Sequence, residues 1–213
     1  METTTESVSS EVGASKPTLG IAKSIGLFLV FYVVYGVVGG VLSLLGVEFG
    51  SAYSFLVSQV AAWLVTIRLA MLGGRAGFLR NSLFSPFPLG SLPALVVGSF
   101  GAAILLGEIA SWIPMPEGLK SQLESLVNSG TLPLFVSAVI VAPFVEEVFF
   151  RGQLLGDFRA RYSTKKAVWA SAILFAVFHL NPWQAVGALP LGLVYAWLVL
   201  RTGSIVPGLI SHA

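Results

Sequence analysis

Two acids and a guanidinium stand within six positions of one another in Pro143-Phe144-Val145-Glu146-Glu147-Val148-Phe149-Phe150-Arg151. The run before them carries no charge back to Ser125, so all three groups are expected at membrane depth. An ionisable side chain near the bilayer centre costs ~3 kcal/mol or more and usually marks a pathway or a site. On a helix Glu147 and Arg151 lie one turn apart, in the favourable acid-first order, and can pair. Glu146 is rotated by about 100° from Glu147 and cannot share that partner equally well. It is therefore left for chemistry, since a carboxyl group in an apolar, partly dry site can act as a general base. Pro143 frees a backbone carbonyl in the preceding turn and predicts a kink or opening beside the acid.

The chain has two histidines, His179 and His212, and both fall in apolar stretches. The loop 157–166 makes the flanking helices an antiparallel hairpin. With its turn centred at Tyr162 and Ser163, Glu146 and His179 are equally far from it and share one height. That arrangement requires the helix bearing Glu146 to continue past the membrane into the cytoplasm. Counted from the turn at Gly203, His212 comes out nearer the inner surface than His179. The Asn181-Pro182 break can lie sunken in the protein, because irregular backbone is tolerated beside a cavity. Blander roles stand beside these. Glu147–Arg151 can be an ion pair that locks two helices, Glu146 a protonated acid or second partner of Arg151, and each histidine a satisfied core residue. Phe149, Phe150, Phe175 and Phe178 read as lipid-facing or core residues.

The composition decides what must position these groups. Of 213 residues, 55% are hydrophobic and only 10% charged. Mean hydropathy is +0.87, whereas soluble domains carry about 25% charged residues. This is the composition of an integral membrane protein. A net charge of +2, with no basic-aromatic patch, excludes a nucleic-acid partner. The chain has no cysteine, so disulfides and thiol catalysis are excluded.

Residues 1–18 are polar and read as a disordered tail, leaving 19–213 as a transmembrane helical domain. Crossing the hydrocarbon takes ~20 apolar residues. Complete spans are expected at about 21–46, 52–71, 88–112, from 132 onward, 167–180 and 184–200, with a surface helix within 114–130. A seventh span begins after Arg201-Thr202-Gly203-Ser204 and is cut short at Ala213, so the domain is expected to be C-terminally truncated. The fold class is all-α, a polytopic bundle of six complete spans and a truncated seventh. Lys16, Lys23, Arg68, Arg75, Arg80, Arg159, Arg161, Lys165, Lys166 and Arg201 flank one set of loops. Glu48, Glu108, Glu117 and Glu124 mark the other, with Lys120. Basic loops stay inside, which makes the N-terminus cytoplasmic. Trp112 and Trp183 then fall at outer ends and Trp169 at an inner end.

Glu146-Glu147-x-x-x-Arg151, then Phe175-x-x-x-His179, then His212 in a later span resemble the signatures of the CAAX-protease and bacteriocin-processing family of intramembrane proteases. That family is also called Abi and is customarily classed as metalloproteases. The resemblance covers about 137–213 and includes the Thr202-Gly203-Ser204 turn. The family places an Asn or Asp four residues after its last histidine, and this sequence stops at Ala213.

The resemblance implies an endopeptidase in the cell membrane, cutting a membrane-associated protein or peptide, lipidated or not, near the cytoplasmic leaflet. In that scheme Glu146 with His179 activates a water, and His212 stabilises the oxyanion. Glu147 and Arg151 orient the site, and Phe175 packs behind the histidine. A zinc site of Glu146, His179 and His212 with an open water position is the alternative. Water activation with no required metal is favoured, because no spare acid supports the ligands except Glu147, which Arg151 claims. Two other classes remain beside the enzyme. One is a proton-coupled transporter with a carboxylate and histidine relay; the other is a non-catalytic scaffold or bacteriocin immunity factor.

Overall fold

The computed structural model describes residues 19–72, 83 and 85–213. The tail expected over 1–18, and Arg75 and Arg80, lie outside the described residues. Helices account for the architecture, and no strand occurs among the described residues. Helices α1 (Ile21–Leu44) and α2 (Ala52–Met71) form a packed pair. Ser51 starts α2 by accepting a hydrogen bond from Ser54 N at 3.3 Å, which satisfies one of the orphan amides of a helix N-terminus. A 3-10 turn (Leu89–Ser91) leads into α3 (Leu92–Ser111). The expected surface helix is α4 (Glu117–Asn128), which buries no residue.

The long helix α5 (Thr131–Arg161) has 31 residues and extends about 46 Å. It ends at the expected turn: Tyr162 is extended, and the Ser163 hydroxyl accepts from Lys166 N at 3.4 Å to begin α6 (Thr164–Phe178). Helices α7 (Pro182–Thr202) and α8 (Val206–His212) complete the chain.

Among the described residues five helices are long and apolar enough to cross a membrane: α1, α2, α3 with its lead-in, α5 and α7. A polytopic helical bundle is therefore the fold. The span expected at 167–180 falls on α6 (Thr164–Phe178). Helix α6 has 15 residues, about 22 Å, against a hydrocarbon thickness of ~30 Å. The chain leaves the helix at His179, Leu180 takes a left-handed φ of 55°, and Asn181 caps α7 by accepting from Gln184 N at 2.8 Å.

The core is an aromatic cluster that fixes the middle of α5. Phe28 and Phe31 of α1, Trp63 of α2, Phe149 and Phe150 of α5, and Phe178 of α6 pack ring on ring. Phe31–Trp63 centroids lie 4.8 Å apart and Phe149–Phe150 centroids 5.1 Å apart, within the range of favourable tilted pairs. Phe149, Phe150, Phe175 and Phe178 are thus core residues. The Ser137 hydroxyl donates to Gln59 Oε1 at 2.6 Å, adding a buried polar tie between α5 and α2. Helix α3 differs: it packs against α7 and α8 and buries none of its residues.

Candidate active site

The acid pair sits where the backbone of α5 widens. Wide π turns run over Val136–Val141 and Glu147–Leu154, separated by an α-helical stretch, Ala142–Glu146, that contains Pro143. Proline has no N–H, and its ring crowds the carbonyl four residues back. The turn upstream of it opens, as the sequence predicted. Such π segments inside α-helices occur frequently at functional sites. Glu146 closes the α-helical stretch and Glu147 begins the second wide turn.

Glu147 Oε1 lies 2.9 Å from Arg151 Nη1, and neither side chain has any exposed surface. The expected pair is therefore formed. Arg151 also ties in two further helices. Its Cζ stands 4.1 Å from the ring centroid of Phe175 on α6 and 5.2 Å from that of Tyr195 on α7. Its Nη2 donates to Gly192 O at 3.4 Å. Glycine at 192 lets α7 approach: a Cβ there would lie 3.2 Å from Ala172 Cα and from the Phe175 ring.

His212 lies against both acids. Its Nε2 is 3.7 Å from Glu146 Oε2, and its Nδ1 is 3.5 Å from Glu147 Oε1. Both distances are longer than hydrogen bonds. The turn before α8 brings His212 to the acids. Gly203 adopts φ 70°, Thr202 Oγ1 donates to Leu198 O at 2.8 Å, and Ser204 Oγ accepts from Val206 N at 3.2 Å. Ser204 and Ile205 are fully buried, so α8 enters the bundle rather than running along its rim. Gly208 then passes so close that a Cβ would sit 2.7 Å from Glu147 Oε2. The His212 ring stacks on Tyr195, with centroids 5.3 Å apart and planes at 28°. The Tyr195 hydroxyl donates to Ser211 O at 3.3 Å and braces the same helix.

His179 lies at the end of α6. Its Nδ1 is 2.8 Å from Phe175 O; a ring nitrogen facing a carbonyl carries the proton, which leaves Nε2 as the acceptor of the neutral ring. Asn181 Nδ2 donates to His179 O at 3.0 Å, and the Tyr32 hydroxyl of α1 donates to the neighbouring Phe178 O. Phe175 stands edge-on to both imidazoles, with centroids 5.1 Å from His179 and 5.7 Å from His212. The two histidines share a cavity of about 280 Å³ with Phe175, Tyr195, Trp183 and Gln184, closed on the far side by Leu106, Gly107 and Ala110 of α3. Glu146 lies behind His212 with 5% of its surface exposed. Its Oε2 has no hydrogen-bond partner, and neither has His212 Nδ1. A buried polar atom left unsatisfied costs ~1–3 kcal/mol.

The six residues singled out in the sequence converge here. Glu146, Glu147 and Arg151 come from α5, Phe175 and His179 from the end of α6, and His212 from α8. Among the described residues it is His212, not His179, that touches the acids. Among the described residues no three His, Cys, Asp or Glu groups gather in an arrangement that could hold a metal ion. Tyr32 and Tyr195 were not anticipated. A hydroxyl inside an apolar span needs a partner, and that was the signal available for each.

Membrane-length helices around a buried acid–imidazole cluster define a polytopic membrane protein with a candidate site within its helical bundle. Residues 128–213 match the family described as type II CAAX prenyl endopeptidase, Rce1-like. That stretch, which holds α5 to α8 and every candidate site residue, is similar to the CAAX-protease and bacteriocin-processing family. The match supports an intramembrane protease-like function with a protein or peptide substrate. No curated protein and no solved structure matches the chain.

Proposed function

We propose that the chain is an intramembrane endopeptidase that hydrolyses a peptide bond of a membrane-associated protein or peptide. Glu146 takes a proton from a water whose oxygen bonds to the peptide carbonyl carbon. His179 Nε2 accepts the second O–H of that water and orients it. His212 donates to the oxyanion that develops on the carbonyl. When the C–N bond breaks, the proton held on Glu146 passes to the leaving amine. Glu147 and Arg151 act as positioning residues, since their pairing fixes α5 against α6 and α7. No step in this scheme requires a metal.

One observation carries this reading: an imidazole in contact with two buried carboxylates, at a cavity it shares with the second histidine. General acid–base catalysis contributes ~10²–10⁴-fold. Purified protein should cleave a membrane-anchored peptide, and Glu146→Ala should lose at least ~100-fold of that rate. Unchanged turnover in a Glu146→Ala protein that folds normally would end the proposal. A proton-coupled carrier would instead give pH-dependent flux in liposomes without cleavage, and the family match favours the protease.

A further inference from the structure

The His212 imidazole is held by rings rather than by hydrogen bonds. Its Nδ1 has no hydrogen-bond partner, and its Nε2 lies 3.7 Å from Glu146 Oε2, beyond hydrogen-bond length. A side chain without such ties turns among its rotamers where packing does not fix it. Tyr195 of α7 supplies the packing. Its ring is 2% exposed and faces the imidazole with centroids 5.3 Å apart and planes inclined by 28°. Aromatic pairs at this separation attract beyond their burial alone. The same ring meets Arg151, whose Cζ stands 5.2 Å from its centroid, and that guanidinium is itself held 2.9 Å from Glu147. The Tyr195 hydroxyl donates to Ser211 O at 3.3 Å, the carbonyl one residue before His212. Gly208 passes the root of the side chain, where a Cβ would lie 3.6 Å from Tyr195 Cβ.

We propose that Tyr195 is the positioning residue of His212: its ring sets the plane of the imidazole, and its hydroxyl sets the stretch of α8 that carries it. One side chain thus passes the fixed position of Arg151 in α5 to a histidine on another helix. The consequence for the reaction rests on the endopeptidase proposal; the placement of the ring does not. In that reaction His212 aims an N–H at the oxyanion, and such a donor must lie ~2.7–3.1 Å from the developing charge. A displacement of ~1 Å can cost ~100-fold in rate. Tyr195 also lines the cavity, so its effect has to be told apart from substrate binding. A positioning residue acts on the chemical step and acts through His212 alone.

Two substitutions separate the ring from the hydroxyl. Tyr195→Phe keeps the stack and loses the bond to Ser211 O, whereas Tyr195→Leu loses both. On cleavage of a membrane-anchored peptide, Tyr195→Leu should lower kcat by ~10–100-fold with KM little changed. Tyr195→Phe should lower it by about fivefold, the worth of one neutral hydrogen bond. In a His212→Ala background Tyr195→Leu should slow cleavage no further. A spectroscopic readout needs no proteolysis. The chain has two histidines, so isotope-labelled histidine gives two ring signals in the magnetic resonance spectrum, and His179→Gln tells which is which. The His212 signal should move in Tyr195→Leu towards that of an unstacked imidazole, and stay in place in Tyr195→Phe. A folded Tyr195→Leu protein that keeps the parent kcat, changes KM alone or leaves the His212 signal unmoved would overturn the inference. Should Tyr195→Leu not fold, Tyr195→Phe decides, since a displaced His212 signal there contradicts the role given to the ring. A fully active Glu146→Ala protein defeats the endopeptidase mechanism and leaves the dependence of the His212 signal on Tyr195 standing, while an unmoved signal does the opposite.

Discussion

Helices α5 and α3 are both long and apolar, and both stand beside the same site, yet they are held in opposite ways. In α5 every residue from Glu146 to Phe158 is buried, and α3 buries none. Hydropathy does not separate them, because lipid is as apolar as a helix face and gives no hydrophobic drive for helix association. Close packing and polar contacts do. Helix α5 has the Glu147–Arg151 pair, the Ser137–Gln59 bond and the aromatic cluster, while neighbours approach it through Gly192 and Gly208. The glycines of α3, at positions 98, 101 and 107, meet nothing within 4 Å of a would-be Cβ. The chemistry is thus mounted on a fixed wall and faced by a loosely held one.

The contrast breaks most severely at Arg151. Removing one partner of a buried ion pair leaves an uncompensated charge and costs ~3–5 kcal/mol. Arg151→Ala should therefore lower the unfolding temperature sharply in detergent, and a loss below ~1 kcal/mol would erase the distinction between the two helices. A smaller effect is expected at Gly208. The added methyl meets a carboxylate that Arg151 holds in place, and overpacking of this kind costs ~1–3 kcal/mol. Gly208→Ala should reduce stability and displace His212, slowing cleavage. The same change in α3 sharpens the comparison. Gly101→Ala should leave cleavage unchanged and shift stability by about 1 kcal/mol or less, towards greater stability, since alanine favours the helix and nothing is crowded. A clear loss on thermal unfolding of Gly101→Ala would mean that α3 is packed as tightly as α5.

Much of this was legible in the sequence, for local reasons. The α5–α6 turn at Tyr162 and Ser163 could be placed because charges cluster around it and Ser163 is a good cap. The Glu147–Arg151 pair followed from helical spacing alone. The opening near Pro143 followed from a missing N–H. What escaped depends on distant parts of the chain. The end of α6 was signalled by the Asn181-Pro182 break, whereas the left-handed Leu180 just before it was not, since a leucine does not advertise that conformation. The approach of His212 to both acids depends on a buried turn and on Gly208 passing Glu147, neither of which has a periodic signature. Tyr32 and Tyr195 reach the site through contacts across the bundle, invisible to spacing along one helix.

The central claim is that Glu146 and His212 act as a unit, and a double-mutant cycle on peptide cleavage tests it most directly. Glu146→Gln, His212→Ala and the double variant would be compared with the parent protein, each checked for normal folding. Residues that work together lose activity non-additively. With each single change costing ~100-fold, the double variant should be about as slow as the slower single one. A double loss near ~10⁴-fold, the product of independent effects, would contradict the account.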